Sequence, residues 1–164
     1  MAITPNGFIA KKDDSSDFLT KKESQSYVAT VLKAGALVIG RRTYGVLSKQ
    51  SEFQKFLKAK IKIAIVSKHS MNIKSPYHKV ANSPQSALNF LKGSKEIVVA
   101  GGGLLNASFM SENLVDEIYI DIEPNLFSEG IKLFEGGSFD VKLKLLGTRM
   151  LSKNEIKLHY KVLK

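Results

Sequence analysis

Two glycine turns, each entered directly from a short apolar run, are the segments of this chain best suited to chemistry. Ile97-Val98-Val99-Ala100 leads into Gly101-Gly102-Gly103, and Ala36-Leu37-Val38-Ile39 leads into Gly40-Arg41-Arg42-Thr43-Tyr44. Glycines lacking Cβ let an anion approach the main chain. The free amides of a helix opening near Leu104 and Leu105 would add donors and the positive end of a dipole. Arg41 and Arg42 carry guanidinium forks that match phosphate oxygens, and Thr43 can cap a helix or bond the same phosphate. Either turn alone also reads as tight packing or as a solvated basic loop. Together they suggest a dinucleotide with phosphates at both ends.

The elements that must position these turns alternate between strand and helix, with no internal repeat or flexible linker. Thr20 and Glu23 have the spacing of a capping box, followed by an apolar stripe of Tyr27, Val28, Val31 and Leu32, and Gly35 ends that helix. A helical segment is expected over 53–58, a strand over 61–66 closed by Ser67 and Lys68, and an extended piece over 79–81. Ser83-Pro84 then opens a helix to about Leu91. Ile118, Ile120 and Ile122 alternate with polar residues as in a strand ended by Pro124. Two longer alternating segments, Phe139 to Leu145 and Ile156 to Val162, should pair antiparallel. The expected fold class is α/β: three layers, α/β/α, around a mixed, mostly parallel sheet with a C-terminal antiparallel strand pair. Ligands of such sheets lie beyond the carboxyl ends of the parallel strands, where Gly40, Ser67 and Gly101 fall.

With 164 residues, 43% of them hydrophobic, the chain can build one core, and a single domain over 1–164 is expected. It has no cysteine, which removes disulfide and thiolate chemistry, and no apolar stretch of membrane-spanning length; a cytoplasmic protein without membrane contact is expected. Net charge is +10. The lysines are spread along the chain, including Lys157 and Lys161 on what reads as a solvated strand face, and no exposed aromatics interleave with them. That pattern argues against nucleic acid as a partner. His69, His78 and His159 lack metal-ligand spacing, so no metal is expected.

Taken in order, Asn6-Gly7-Phe8-Ile9-Ala10, Gly40-Arg41-Arg42-Thr43-Tyr44, Val99-Ala100-Gly101-Gly102-Gly103, Leu114-Val115-Asp116-Glu117, Pro124, Gly130 and Phe134 resemble the dihydrofolate reductase-like superfamily. Within it the chain looks most like the C-terminal reductase domain of riboflavin biosynthesis (RibD) and its stand-alone relatives. The resemblance implies NADPH-dependent reduction of a small heterocyclic substrate, pteridine-like or ribosylaminopyrimidine-like, at a C=N bond or a ring-opened sugar carbon, by a homodimer. It implies that Ala2 and Ile9 lie beside the nicotinamide and that Ala100 to Leu105, through Gly101, Gly102, Gly103 and Leu104, form the pyrophosphate turn. Gly40, Arg41, Arg42, Thr43, Ser67 and Lys68 would lie at the adenosine end. Fixed positive charge there favours NADPH over NADH.

Reduction of an imine also needs a proton source. Glu23 resembles the carboxylate of the folate enzymes and equally explains itself as a capping-box residue; Asp17 and Asp121 are the alternatives. The chain departs from the folate enzymes in having no tryptophan and in carrying Ala59-Lys60-Ile61-Lys62 where they have Pro-Gly-Arg. It departs from the riboflavin-pathway enzymes at Asn6, where they prefer Asp, and at Ser128, where they prefer Gly. Relatives usually carry about half a strand more ahead of Ala2, so a first strand short of ladder hydrogen bonds is expected. The alternative function is a catalytically silent nucleotide-binding protein of the same fold.

Overall fold

In the computed structural model, which describes residues 1–164, the two glycine turns follow neighbouring strands of a four-stranded parallel sheet. β3 (Ala36–Gly40) is flanked by β4 (Lys62–Val66) and β6 (Val98–Val99), and β5 (His78–Ala81) completes a sheet of order β5-β4-β3-β6, parallel throughout. Ala36 to Ile39 and Ile63 to Ile65 are fully buried, as befits strands covered on both faces. On one face α1 (Lys21–Ala34) and α3 (Phe53–Lys58) press Val28, Val31 and Phe56 onto Leu37, Ile39, Ile63 and Ile65. On the other, α4 (Pro84–Phe90) and α5 (Gly103–Ser111) press Ala87, Leu105 and Phe109 onto Val38 and Ala64.

A second sheet has the order β1 (Ala2–Ile3), β7 (Glu117–Ile122), β10 (Ile156–Leu163), β9 (Lys142–Met150), and its C-terminal pair is antiparallel as expected. β2 (Phe8–Ala10) pairs separately with β8 (Ile131–Lys132). The single mixed sheet expected from the sequence is thus divided in its hydrogen bonding. β1 and β6 have two residues each and form no ladder with one another, too few groups for continuous pairing.

Local signals account for most element ends. Gly35 stops α1 at φ +76°, and Ser83 with Ser86 forms a reciprocal capping box ahead of Pro84. Thr43 is not a cap: α2 (Arg41–Leu47) starts at Arg41 with Gly40 as its N-cap, which leaves Thr43 inside the first turn. Phe139 does not enter β9, which opens at Lys142, and its ring packs edge-on against Phe134 with centres 5.1 Å apart.

The solvated lysine face expected of β10 holds at Lys161, which is exposed, but not at Lys157. Lys157 turns inward, with Nζ 3.3 Å from Asp121 Oδ2 and donating to Ser26 Oγ of α1 at 2.7 Å. Asp121 and Glu123 are buried on the same side, where Asp121 Oδ1 and both Glu123 carboxylate oxygens lack a hydrogen-bond partner. The isoleucine face of β7 is half-buried, while Glu117 and Tyr119 at the far end of the polar face are exposed.

Candidate active site

The two glycine corners meet. Ala100 N–H donates to Val38 O at 3.0 Å and Gly40 N–H donates to Gly101 O at 2.9 Å, so the turn after β6 is fastened directly to the end of β3. Gly101 has φ +82°, a left-handed conformation suited to glycine, and its peptide bond with Gly102 is cis. α5 begins on Gly102 with no side chain to cap it, so its first-turn amides keep their hydrogen-bonding capacity. A Cβ at Gly102 would meet only Thr43 Oγ1, at 3.8 Å, whereas one at Gly103 would strike Lys132 O. The surface above Gly102 is therefore open, and the floor beneath Gly103 is closed.

These corners form one end of a cleft of about 860 Å³. Ala2, Ile9, Gly40, Arg41, Arg42, Thr43, Ser67, Lys68, Ala100, Gly101, Gly102, Gly103, Leu104 and Leu105 all line it. A smaller hollow of about 400 Å³, between the ends of β4 and β5, shares Ser67, Lys68, His69 and Asn82 with it. The polar groups differ in availability. Arg42 reaches across to Asp14 and is held in an ion pair at 2.5 Å. Ser67 Oγ is occupied within its own turn, donating to His69 O at 2.8 Å and accepting from His69 N–H at 3.0 Å. Arg41 and Lys68 make no ion pair, which leaves them to meet an anion.

The three carboxylates fare differently. Glu23 lines the cleft and is only 6% exposed. Half of the expected capping box forms, with Glu23 N–H donating to Thr20 Oγ1 at 3.1 Å, but the Glu23 carboxylate does not return to the Thr20 amide. It accepts no hydrogen bond. Burial pushes its pKa up, the Met1 ammonium and Lys157 oppose that, and Asp121 and Glu155 reinforce it. Asp17 lines the outer cleft, largely solvated and paired with Lys11 at 2.8 Å, which holds its carboxyl below the usual range. Asp121 is not brought to the cleft; it lies beneath, 3% exposed, against Lys157.

Sequence reasoning missed three contributors. Tyr27 lines the cleft one helical turn beyond Glu23, and that i, i+4 spacing was a usable signal. Glu135 lies against Gly103, accepting no side-chain bond but donating its amide to Gly103 O at 3.1 Å. The Asp14–Arg42 pair joins a loop residue at φ +67° to a helix start, and nothing local announces it.

Residues 1–156 match the RibD C-terminal domain family. The chain belongs to that family. It is 30% identical over 171 residues to the uncharacterised protein YwjB of Bacillus subtilis, an alignment covering 98% of this chain and 94% of that protein. Among solved structures it superposes on a pyrimidine reductase-like protein from Corynebacterium diphtheriae with a TM-score of 0.75 at 16% identity, covering 99% of this chain and 90% of that one. It also superposes on a Thermotoga maritima diaminohydroxyphosphoribosylaminopyrimidine deaminase/5-amino-6-(5-phosphoribosylamino)uracil reductase, TM-score 0.72 at 17% identity, covering 99% of this chain and 55% of that one. At such identities the superpositions establish the fold, which is that of RibD C-terminal domains and dihydrofolate reductase-like. As a RibD C-terminal domain, the chain places its glycine corners at the carboxyl edge of the parallel strands, where α/β folds bind ligands.

Proposed function

We propose that this RibD C-terminal domain is an NADPH-dependent reductase of a small nitrogen heterocycle, working as a cytoplasmic, single-domain homodimer. The observation that carries the reading is the 2.9 Å bond between Gly40 N–H and Gly101 O, which sets two anion-accepting corners side by side on one cleft. The residues fit the cofactor: an open surface over Gly102, uncapped amides at the start of α5, and two unpaired cations at the strand ends. Gly101, Gly102 and Gly103 would hold the pyrophosphate. Arg41, Thr43 and Lys68 would meet the adenosine end, and Ala2 and Ile9 would flank the nicotinamide. A bound reduced nicotinamide supplies a hydride.

The protein's own task is then to deliver a proton. Glu23 is suited to that task because burial keeps its carboxyl protonated to higher pH than a surface glutamate, with the acid facing the cleft. Asp14 and Lys11 fix the outer wall through their ion pairs with Arg42 and Asp17. The homodimer reading is supported by the apolar face of β7, β10 and β9. There Ile118 stands opposite Tyr160 and Ile120 opposite Leu158, while Leu145 is 51% exposed and belongs to neither core.

The reading is tested by absorbance at the nicotinamide band. NADPH oxidation on addition of a pterin or ribosylaminopyrimidine supports it. Tight NADPH binding without turnover on any of these compounds would favour the silent nucleotide binder.

A further inference from the structure

Glu23 faces the cleft, but the charged groups behind it come from other elements. They are the Met1 ammonium just ahead of β1, Asp121 of β7, and Lys157 of β10 with Glu155 just before it; Tyr27 is the titratable neighbour on α1 itself. Glu123, just beyond β7, faces the same group. Lys157 is the only side-chain cation among them, and its ammonium is held twice, 3.3 Å from Asp121 Oδ2 and donating to Ser26 Oγ at 2.7 Å. Ser26 follows Glu23 by about one helical turn, so Lys157 is fastened to the helix that presents Glu23. Neither Asp121 nor Lys157 lines the cleft.

A carboxyl that is nearly buried and accepts no hydrogen bond has only nearby charge to set against the cost of burial. Burial disfavours ionisation of Glu23; the Met1 ammonium and Lys157 oppose it, while Asp121 and Glu155 reinforce it. The Met1 ammonium is tied to Tyr119 O, and Glu155 Oε2 has no partner. Lys157 alone bridges β7 and α1, so the field of its ion pair at Glu23 is fixed rather than averaged over side-chain motion. Buried charges are also weakly screened by salt.

We propose that Asp121 and Lys157 are positioning residues that act through Glu23: as a fixed pair of opposite charges behind α1, they set the balance of protonated and ionised carboxyl presented to the cleft. The proposal rests on the reading of Glu23 as the proton donor. It gives Asp121 a role one step removed from the substrate.

The test follows the Glu23 side chain in the intact protein, by NMR of isotope-labelled glutamate carboxyls through a pH titration, with the Glu23 signal assigned by its loss in Glu23→Gln. Asp121→Asn should lower the Glu23 midpoint and Lys157→Met should raise it, each by about one pH unit, the scale of a single nearby charge. A merely structural role would move both midpoints the same way or neither, and either result overturns the proposal. Lys157→Met leaves Asp121 buried without its cation. If that variant does not fold, Asp121→Asn/Lys157→Met replaces it and should bring the midpoint back towards the wild-type value; a midpoint displaced as far as in Asp121→Asn alone overturns the proposal. No nicotinamide enters this titration, so its failure is distinct from that of the reductase reading, which falls separately if NADPH does not bind. Where NADPH is turned over, the falling limb of the pH profile should move with the Glu23 midpoint in each variant, and a limb that stays in place overturns the role in proton delivery.

Discussion

Glu23 is buried without a hydrogen-bond partner, so its ionisation is costlier than that of a surface carboxylate, and the acid form persists to higher pH. Used as a proton donor, it makes turnover fall as pH rises through its elevated pKa. Glu23→Gln should lower kcat by about 10² to 10⁴ and flatten that limb of the pH profile while leaving NADPH affinity unchanged. A variant with wild-type kcat would assign the proton to another group. Arg41 differs in being exposed and unpaired. Arg41→Ala should weaken NADPH about tenfold more than NADH, some 1.4 kcal/mol, in a fluorescence titration. Equal losses would show that it does not read the extra phosphate. Glycine candidates were legible in the sequence because three in succession at a strand end have few other uses. The neutralisation of Arg42 was not: its partner Asp14 lies 28 positions away, and only the folded loop brings them together.

At the scale of elements, the glycine turn separates fold from ligand. Gly102→Ala has room in the protein and should fold normally, yet lose most NADPH affinity, because its methyl group would occupy the space over the main chain. Gly103→Ala puts its methyl group against Lys132 O and should cost on the order of 1–3 kcal/mol in denaturant unfolding. If both variants bound NADPH like the wild type, the turn would not be a pyrophosphate site. Glu123, just beyond the end of β7, is fully buried with Glu155 nearby. Burial first, then Glu155, Glu23 and Asp121, pushes the Glu123 pKa up to about 7. Its proton is therefore held more tightly in the folded chain than in the unfolded one, and stability should fall as pH rises from about 4.5 towards 7. Glu123→Gln should remove much of that slope and raise stability at pH 8 by roughly 1–3 kcal/mol in denaturant unfolding. An unchanged slope would contradict this assignment. Alternation in Ile118 to Ile122 identified a strand with two faces but not which face turned inward. At the inner end of the strand pair that choice involves α1, whose Ser26 Oγ accepts from the Lys157 ammonium at 2.7 Å and so holds Lys157 beside Asp121.

For the whole molecule, a net charge of +10 disfavours self-association except where charge is sparse. The apolar face of β7, β10 and β9 is such a place. Leu145→Lys should convert a dimer into a monomer in sedimentation while NADPH affinity stays the same, and a wild-type monomer would contradict the proposed assembly. The α/β class was readable because buried parallel strands and amphipathic helices differ in period. The short first strand was readable too, but the break between β6 and β1 also needs β6 to pair through only two residues, which its apolar run Ile97 to Ala100 did not announce. The central claim is that two adjoining glycine corners and their free cations hold one phosphate-bearing nicotinamide nucleotide, and calorimetric titration of the intact chain with NADPH and NADH tests it most directly. A single site per chain with NADPH the tighter ligand is the expected result, and no heat with either nucleotide would contradict the account.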